Sequence, residues 1–171
     1  FGYGLSYTTF DVETVSAGVV NSNCTSEANK LYAKVRVTNT GKFSGKEVVQ
    51  VYIAKPQGKL GKPAKELVAF EKTRELQPGE SQLMILTWEI NDMASYDDLG
   101  KVKKSAYVLE AGSYDIYVGT SVRDVTKADY SYILNHDVIT EQLSAKLVPT
   151  SLPKRMLADG SYEALPQSEP V

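Results

Sequence analysis

The stretch Lys30-Leu31-Tyr32-Ala33-Lys34-Val35-Arg36-Val37-Thr38-Asn39 alternates without a break. Leu31, Ala33, Val35 and Val37 fall on one side and Tyr32, Lys34, Arg36 and Thr38 on the other. A period of two is that of a β-strand with one face buried and one face wet. Asn39-Thr40-Gly41-Lys42 follows with turn chemistry. Working outward, Glu47–Ala54 is rich in β-branched residues (Val48, Val49, Val51, Ile53), which predicts a more central strand. Leu67–Leu76 is expected as a strand that ends at Gln77-Pro78-Gly79-Glu80, where Pro then Gly at the central positions specify a type II turn. Ser81–Glu89 sets Met84, Leu86 and Trp88 against Leu83, Ile85 and Thr87; both sides are apolar, so its orientation is left open.

Tyr107–Glu110 and Ser113–Gly119, separated by Ala111-Gly112, are expected to form a hairpin-like pair, and Tyr130–Val138 adds an edge strand. In Leu109-Glu110-Ala111-Gly112-Ser113-Tyr114 a Tyr follows a tight corner; in immunoglobulin-like sandwiches such a Tyr bonds its hydroxyl to backbone a few residues upstream. Asn91-Asp92-Met93-Ala94-Ser95-Tyr96 is expected as one helical turn capped by Asn91 or Asp92. Short strands at regular spacing, with almost no segment of period 3.6, predict an all-β antiparallel sandwich. Two stretches break that rhythm. Lys55–Lys65 carries Pro56, Gly58, Gly61, Pro63 and four lysines, and reads as a long loop. Beyond about residue 145, Pro149, Pro153, Pro166 and Pro170 punctuate a mostly irregular tail or linker.

The chain opens on Phe1-Gly2-Tyr3-Gly4-Leu5-Ser6-Tyr7, apolar bodies spaced by glycines. That string reads as the inside of a larger protein rather than a polar free end. With 171 residues, 42% hydrophobic and 23% charged, the composition is that of one globular domain and a tail. A net charge of −2 gives no electrostatic case for nucleic acid or an anionic membrane surface. No apolar run approaches the roughly 20 residues that span a bilayer.

Chemistry is sparse. One Cys (Cys24) allows no intrachain disulfide, and with a single His (His136) it supplies too few ligands for a zinc site. Asp92, Asp97 and Asp98 are candidates by spacing for a pair of glycosidase carboxylates, read here as turn-capping or solvated groups. Eleven tyrosines and Trp88 could make a stacking platform for sugars, but Tyr32, Tyr52, Tyr107 and Tyr117 stand at strand positions where Tyr is simply favoured.

Three strings together resemble the fibronectin type III-like domain of family 3 glycoside hydrolases, the β-glucosidase and β-xylosidase group. They are Phe1-Gly2-Tyr3-Gly4-Leu5-Ser6-Tyr7-Thr8, Val37–Gly41 with Gly45–Tyr52, and Pro63–Lys72. Leu76–Glu80 and Tyr114–Asp124 fit the same pattern, so the resemblance covers roughly residues 1–125. It implies an immunoglobulin/fibronectin type III-like sandwich over residues 10–143, with residues 1–9 as a connector from an α/β domain and residues 144–171 as a Pro-containing linker or tail. It further implies a non-catalytic module that buttresses a barrel domain and an α/β sandwich domain of the same parent. The family's nucleophile and acid/base residue lie in those other domains, so no catalytic, cofactor-binding or metal residue is assigned here. The Lys55–Lys65 loop is expected to approach the sugar site or a second subunit, and the isolated chain to self-associate through surfaces left bare. The long tail fits a linker into a following barrel. A single Cys is compatible with a cytoplasmic bacterial parent as well as a secreted one. Two other readings stand beside this: a carbohydrate-binding module using exposed Tyr or Trp88, and an adhesion-type or receptor-type module unrelated to enzymes.

Overall fold

A computed structural model describes residues 1–20, 29–144, 153–157 and 159–164. Cys24 and the prolines at 149, 166 and 170 lie outside these residues. The elements in chain order are β1 (Phe10–Val19), β2 (Lys30–Asn39), β3 (Val48–Ala54), β4 (Glu66–Lys72), β5 (Ser81–Glu89), a 3-10 turn (Ile90–Met93), β6 (Ser95–Asp97), β7 (Ala106–Leu109), β8 (Gly112–Gly119), β9 (Val125–Leu134), β10 (Val138–Gln142), β11 (Lys154–Met156) and β12 (Tyr162–Ala164).

A three-stranded sheet in the order β1-β2-β5 faces a four-stranded sheet in the order β4-β3-β8-β9, with every pairing antiparallel. The alternation in β2 decides which residues enter the space between them. Leu31, Ala33, Val35 and Val37 are fully buried and meet Val49, Val51 and Ile53 of β3 and Ile116 and Val118 of β8 in one core. The orientation left open for β5 is settled here: Met84, Leu86 and Trp88 point inward, and Leu83 and Ile85 are half-exposed on the outer face.

Turn chemistry behaves as its residues dictate. Gly79 has φ +79°, the left-handed region that a type II turn requires at its third residue, and Glu80 N donates to Gln77 O at 2.9 Å. Buried Asn39 closes the preceding turn, its amide donating to Phe43 O (2.7 Å) and Leu76 O (2.9 Å) while its carbonyl oxygen accepts from Thr8 Oγ1 and Gly41 N. The fourth strand is shorter than its pattern suggested; past Lys72 it leaves the ladder and touches back at Thr73, which bonds Glu47, and at a Gly45–Leu76 bridge.

Three expectations are corrected. The helical turn is a 3-10 turn preceded by Glu89, without a side-chain cap; Asn91 and Asp92 lie within it. Tyr130–Val138 is not one strand but the end of β9 and the start of β10, parted at Asn135–Asp137. Most consequential, Tyr107–Glu110 does not pair with Ser113–Gly119. Instead β7 lies between β6 and β10 in a third sheet, while β8 pairs β3 and β9. The chain changes sheets at Ala111-Gly112, where Gly112 takes φ +138° and a Cβ would press on Pro56. Tyr114 holds this corner by donating from its buried hydroxyl to Glu110 O at 2.8 Å. Burial, then the negative charges of Glu110 and Asp137, keep that phenol protonated far above its ordinary range.

Tyr114→Phe keeps the ring and removes the bond, so a stability loss of about 1 kcal/mol is expected in chemical denaturation. An unchanged midpoint would show the hydroxyl to be idle.

The tail is not wholly irregular. Its described part contains the β11–β12 hairpin, and Arg155 of that hairpin reaches the body of the protein by donating to Leu60 O at 2.9 Å.

Candidate functional site

The carboxylates weighed in the sequence have structural surroundings. Asp97 is fully buried and accepts four backbone N–H groups, from Gly100 (2.8 Å), Lys101 (3.0 Å), Val102 (2.6 Å) and Lys103 (2.8 Å). Burial pushes its pKa up, but the four donors outweigh this and hold it below the usual carboxylate range. Asp92 is exposed on the 3-10 turn and Asp98 is half-buried beside Asp97. His136 is exposed in the turn between β9 and β10. Among the described residues, no three His, Cys, Asp or Glu side chains gather where a metal ion could be held.

The aromatics divide by position. Tyr52, Tyr114 and Trp88 are core residues, so Trp88 is not the surface group that a stacking role would need. Tyr117 is covered by Lys65, whose Nζ lies 4.9 Å from the ring centre, and Tyr162 by Lys154 at 4.3 Å. Phe1, Tyr3, Leu5 and Tyr7 of the opening string are all highly exposed. The backbone of that string is nevertheless tied down, because Gln50 Nε2 donates to Gly2 O (2.9 Å) and Val122 N to Phe1 O (3.1 Å).

The best-built region outside the core is the Lys55–Lys65 loop with the third sheet beneath it. The loop is folded around one carboxylate. Buried Glu110 accepts from Lys59 N (2.6 Å) and Leu60 N (3.3 Å) and pairs with Lys62, whose side chain is also buried. Lys62 Nζ further donates to Pro56 O at 2.8 Å. Lys55 is buried as well, its Nζ 2.7 Å from Glu66 Oε2. Leu60 drops onto Ala106 and Val108 of β7 in a small second core, and Val102 packs alongside. Arg155, paired with Glu163 of its own hairpin, fastens the loop from the other side. A segment that composition marks as a solvated lysine loop is therefore a fixed structure. Its organising residue, Glu110, looked in sequence like the last residue of a strand, and only its position before the Tyr114 corner hinted at burial.

On the outward face of the third sheet, register places Tyr96 of β6 opposite Tyr107 of β7, and Tyr107 opposite Glu141 of β10. The two rings touch, with centroids 5.4 Å apart and planes tilted by 56°. A cleft of about 320 Å³ lies on the loop side of this row, bordered by Lys55, Glu66, Ser95, Tyr96 and Tyr107. Another of about 360 Å³ lies on the far side, bordered by Asn91, Asp92, Tyr107, Thr140 and Glu141.

Comparison with known proteins adds the following. Residues 47–122 match the family described as "Fibronectin type III-like domain". The whole chain is similar to a segment of β-glucosidase A from Butyrivibrio fibrisolvens, at 58% identity over 179 residues, which is 22% of that protein. A β-glucosidase of Ruminococcus albus is 42% identical over 99% of the chain, covering 17% of its own length. Among solved structures, a β-glucosidase from Paenibacillus barengoltzii superposes with a TM-score of 0.81 and 43% identity, over 99% of this chain and 20% of that one. β-Glucosidase 3B of Thermotoga neapolitana gives 0.69 and 38% over 82% of this chain and 18% of that one. The chain thus spans about a fifth of the length of these relatives, and its tail is part of what the first of them share.

Proposed function

We propose, from the match of residues 47–122 to the fibronectin type III-like domain family and the likeness of the chain to segments of β-glucosidases, that it is a non-catalytic accessory module of a family 3 glycoside hydrolase. The observation that carries the proposal is the coverage. Essentially all of the chain matches, at 58% and 42% identity, proteins named as β-glucosidases, yet it accounts for only 22% and 17% of them. Chemistry in the remaining four-fifths is consistent with a carboxylate set here that is spent on structure, as Asp97 and Glu110 are. In this reading the module buttresses the barrel and α/β sandwich domains of its parent. Residues 1–9 connect to the α/β domain, with the exposed Phe1, Tyr3, Leu5 and Tyr7 packing against it. Residues 10–143 form the sandwich, and residues 144–171 are the Pro-containing linker or tail that follows it in sequence. The rigid Lys55–Lys65 loop borders the entrance to the parent's sugar site. Bare apolar groups at the opening string also favour self-association of the isolated chain.

The chain alone is expected to leave an aryl β-glucoside unhydrolysed. Turnover that survives purification and tracks the protein would refute the accessory role. In the Butyrivibrio enzyme, replacing the matching segment with this chain is expected to preserve β-glucosidase activity, whereas deleting the segment abolishes it. An active deletion protein would remove the buttressing role.

A further inference from the structure

Tyr96, Tyr107 and Glu141 stand in one row across three adjacent strands, about 4.8 Å apart from strand to strand. An exposed cross-strand Tyr pair can serve merely to steady a sheet. The surroundings of this pair point further. Among the described residues, the other ring pair, Tyr114 with Tyr132, belongs to the core region, and Tyr117 and Tyr162 carry lysines over their faces. Phe43 and Phe70 are exposed singly. Tyr96 and Tyr107 are each about 40% exposed; both border the loop-side cleft and Tyr107 also borders the far one, clefts of the size that small-molecule sites occupy. Those clefts carry the hydrogen-bonding side chains that hydroxyl-rich ligands require, from Asn91, Asp92, Thr140 and Glu141 on one side and Ser95 and Glu66 on the other.

The row is also held rigid from beneath. Ala106 and Val108, on the opposite face of β7, pack on Leu60, and the cleft wall is set by the buried Lys55 with its Glu66 partner. A platform ordered before binding loses little freedom when a ligand arrives. Flat rings flanked by carboxylates, an amide and hydroxyls match one ligand class well. A pyranose offers an apolar C–H face to a ring and equatorial hydroxyls to its rim, and the row is long enough for more than one sugar unit.

We propose that Tyr96, Tyr107 and Glu141 form a surface site for short β-linked gluco-oligosaccharides, with the rings stacking sugar faces and Glu141, Asn91 and Asp92 accepting or donating at the hydroxyls. The choice of β-linked glucose rests on the accessory reading above; the platform itself rests on the geometry.

The test is titration of the full chain with cellotetraose, followed by amide chemical shifts, with α-linked maltotetraose as the comparison. Saturable shifts are expected at residues 91–97, 106–108 and 139–142, at about millimolar Kd or tighter. Tyr107→Ala is expected to weaken binding at least about tenfold. Tyr107→Thr, which retains a strand-favouring residue and so a folded sheet, is expected to do the same. Phe70→Ala, on an exposed ring elsewhere, leaves binding unchanged. Absence of saturable shifts, shifts centred elsewhere, or wild-type affinity in both folded Tyr107 variants overturns the site. Equal binding of maltotetraose overturns the β-linked assignment. None of these outcomes touches the accessory role, which falls only if the chain itself hydrolyses glucosides or the parent is indifferent to its loss.

Discussion

Glu110→Ala is expected to destabilise the chain by about 3–5 kcal/mol, the range for breaking a buried ion pair by removing one partner. For a chain of this size that corresponds to a fall in Tm of about 6–20 °C. The magnitude follows from what is stranded. Lys62 would lose its ion-pair partner with a side chain only 2% exposed, and Lys59 N and Leu60 N would lose their acceptor. Part of the loss is desolvation without compensation, so the variants separate by mechanism. Glu110→Gln keeps an acceptor for the loop amides but leaves Lys62 unpaired, and should fall between Ala and wild type. Replacing both members with Met removes the buried charges together and should recover most of the loss, giving a large coupling term in a double-mutant cycle. The measurement is denaturant unfolding with the slope held constant. A loss under about 1 kcal/mol for the single Ala variant would show that the loop is not held by this carboxylate. Because Leu60 packs on β7, the same variant should also loosen the Tyr96–Tyr107 row and weaken any ligand held there.

Asp97→Ala is expected to cost about 3 kcal/mol at neutral pH, since four charge-assisted bonds to backbone N–H groups are lost at a fully buried position. Asp97→Asn keeps one carbonyl acceptor but turns an amide toward donors, and about half that loss is expected. The pH dependence has a definite sign. The folded-state pKa is depressed below the ordinary value, so the stabilisation is fully present above the unfolded-state pKa of about 3.9 and disappears as pH falls through the lower folded-state value. The gap between wild type and the Asn variant should therefore be constant from neutrality to about pH 5 and close below about pH 4. Asp115, also depressed through its hydrogen bonds to Lys127 and Ser131, is present in both proteins and shifts both curves alike. A gap that persists unchanged to pH 2 would mean the carboxylate charge contributes nothing.

Local pattern carried the sandwich itself. Period-two alternation in β2 and β-branched richness in β3 are properties of a few adjacent residues, and the burial they specify is the burial observed. The Pro78-Gly79 turn and the Tyr114 hydroxyl bond were equally local, with partners three and four residues away. The orientation of β5 was not, because Leu83 and Ile85 remain apolar on an outer face. The third sheet escaped for a related reason. Its strands are only three to five residues long, and Ala111-Gly112 reads as a hairpin turn although the chain uses it to change sheets. As for the candidate region, the partners of Glu110 at Lys59, Leu60 and Lys62 are about 50 positions away, beyond the reach of any local rule. The alignment of Tyr96, Tyr107 and Glu141 appears only once β6, β7 and β10 are in register.

The third sheet also has a history written into the order of synthesis. Its strands come from residues 95–97, 106–109 and 138–142, so two of them leave the ribosome before the sandwich strands β8 and β9, and the last leaves after both. Until β10 arrives, one side of β7 is an unpaired edge bearing Tyr107, next to a sandwich that can already close. An open edge of that kind invites pairing with a neighbouring chain. Val138–Gln142 therefore closes the third sheet, and a nascent chain halted before it would expose a strand edge that the finished protein covers.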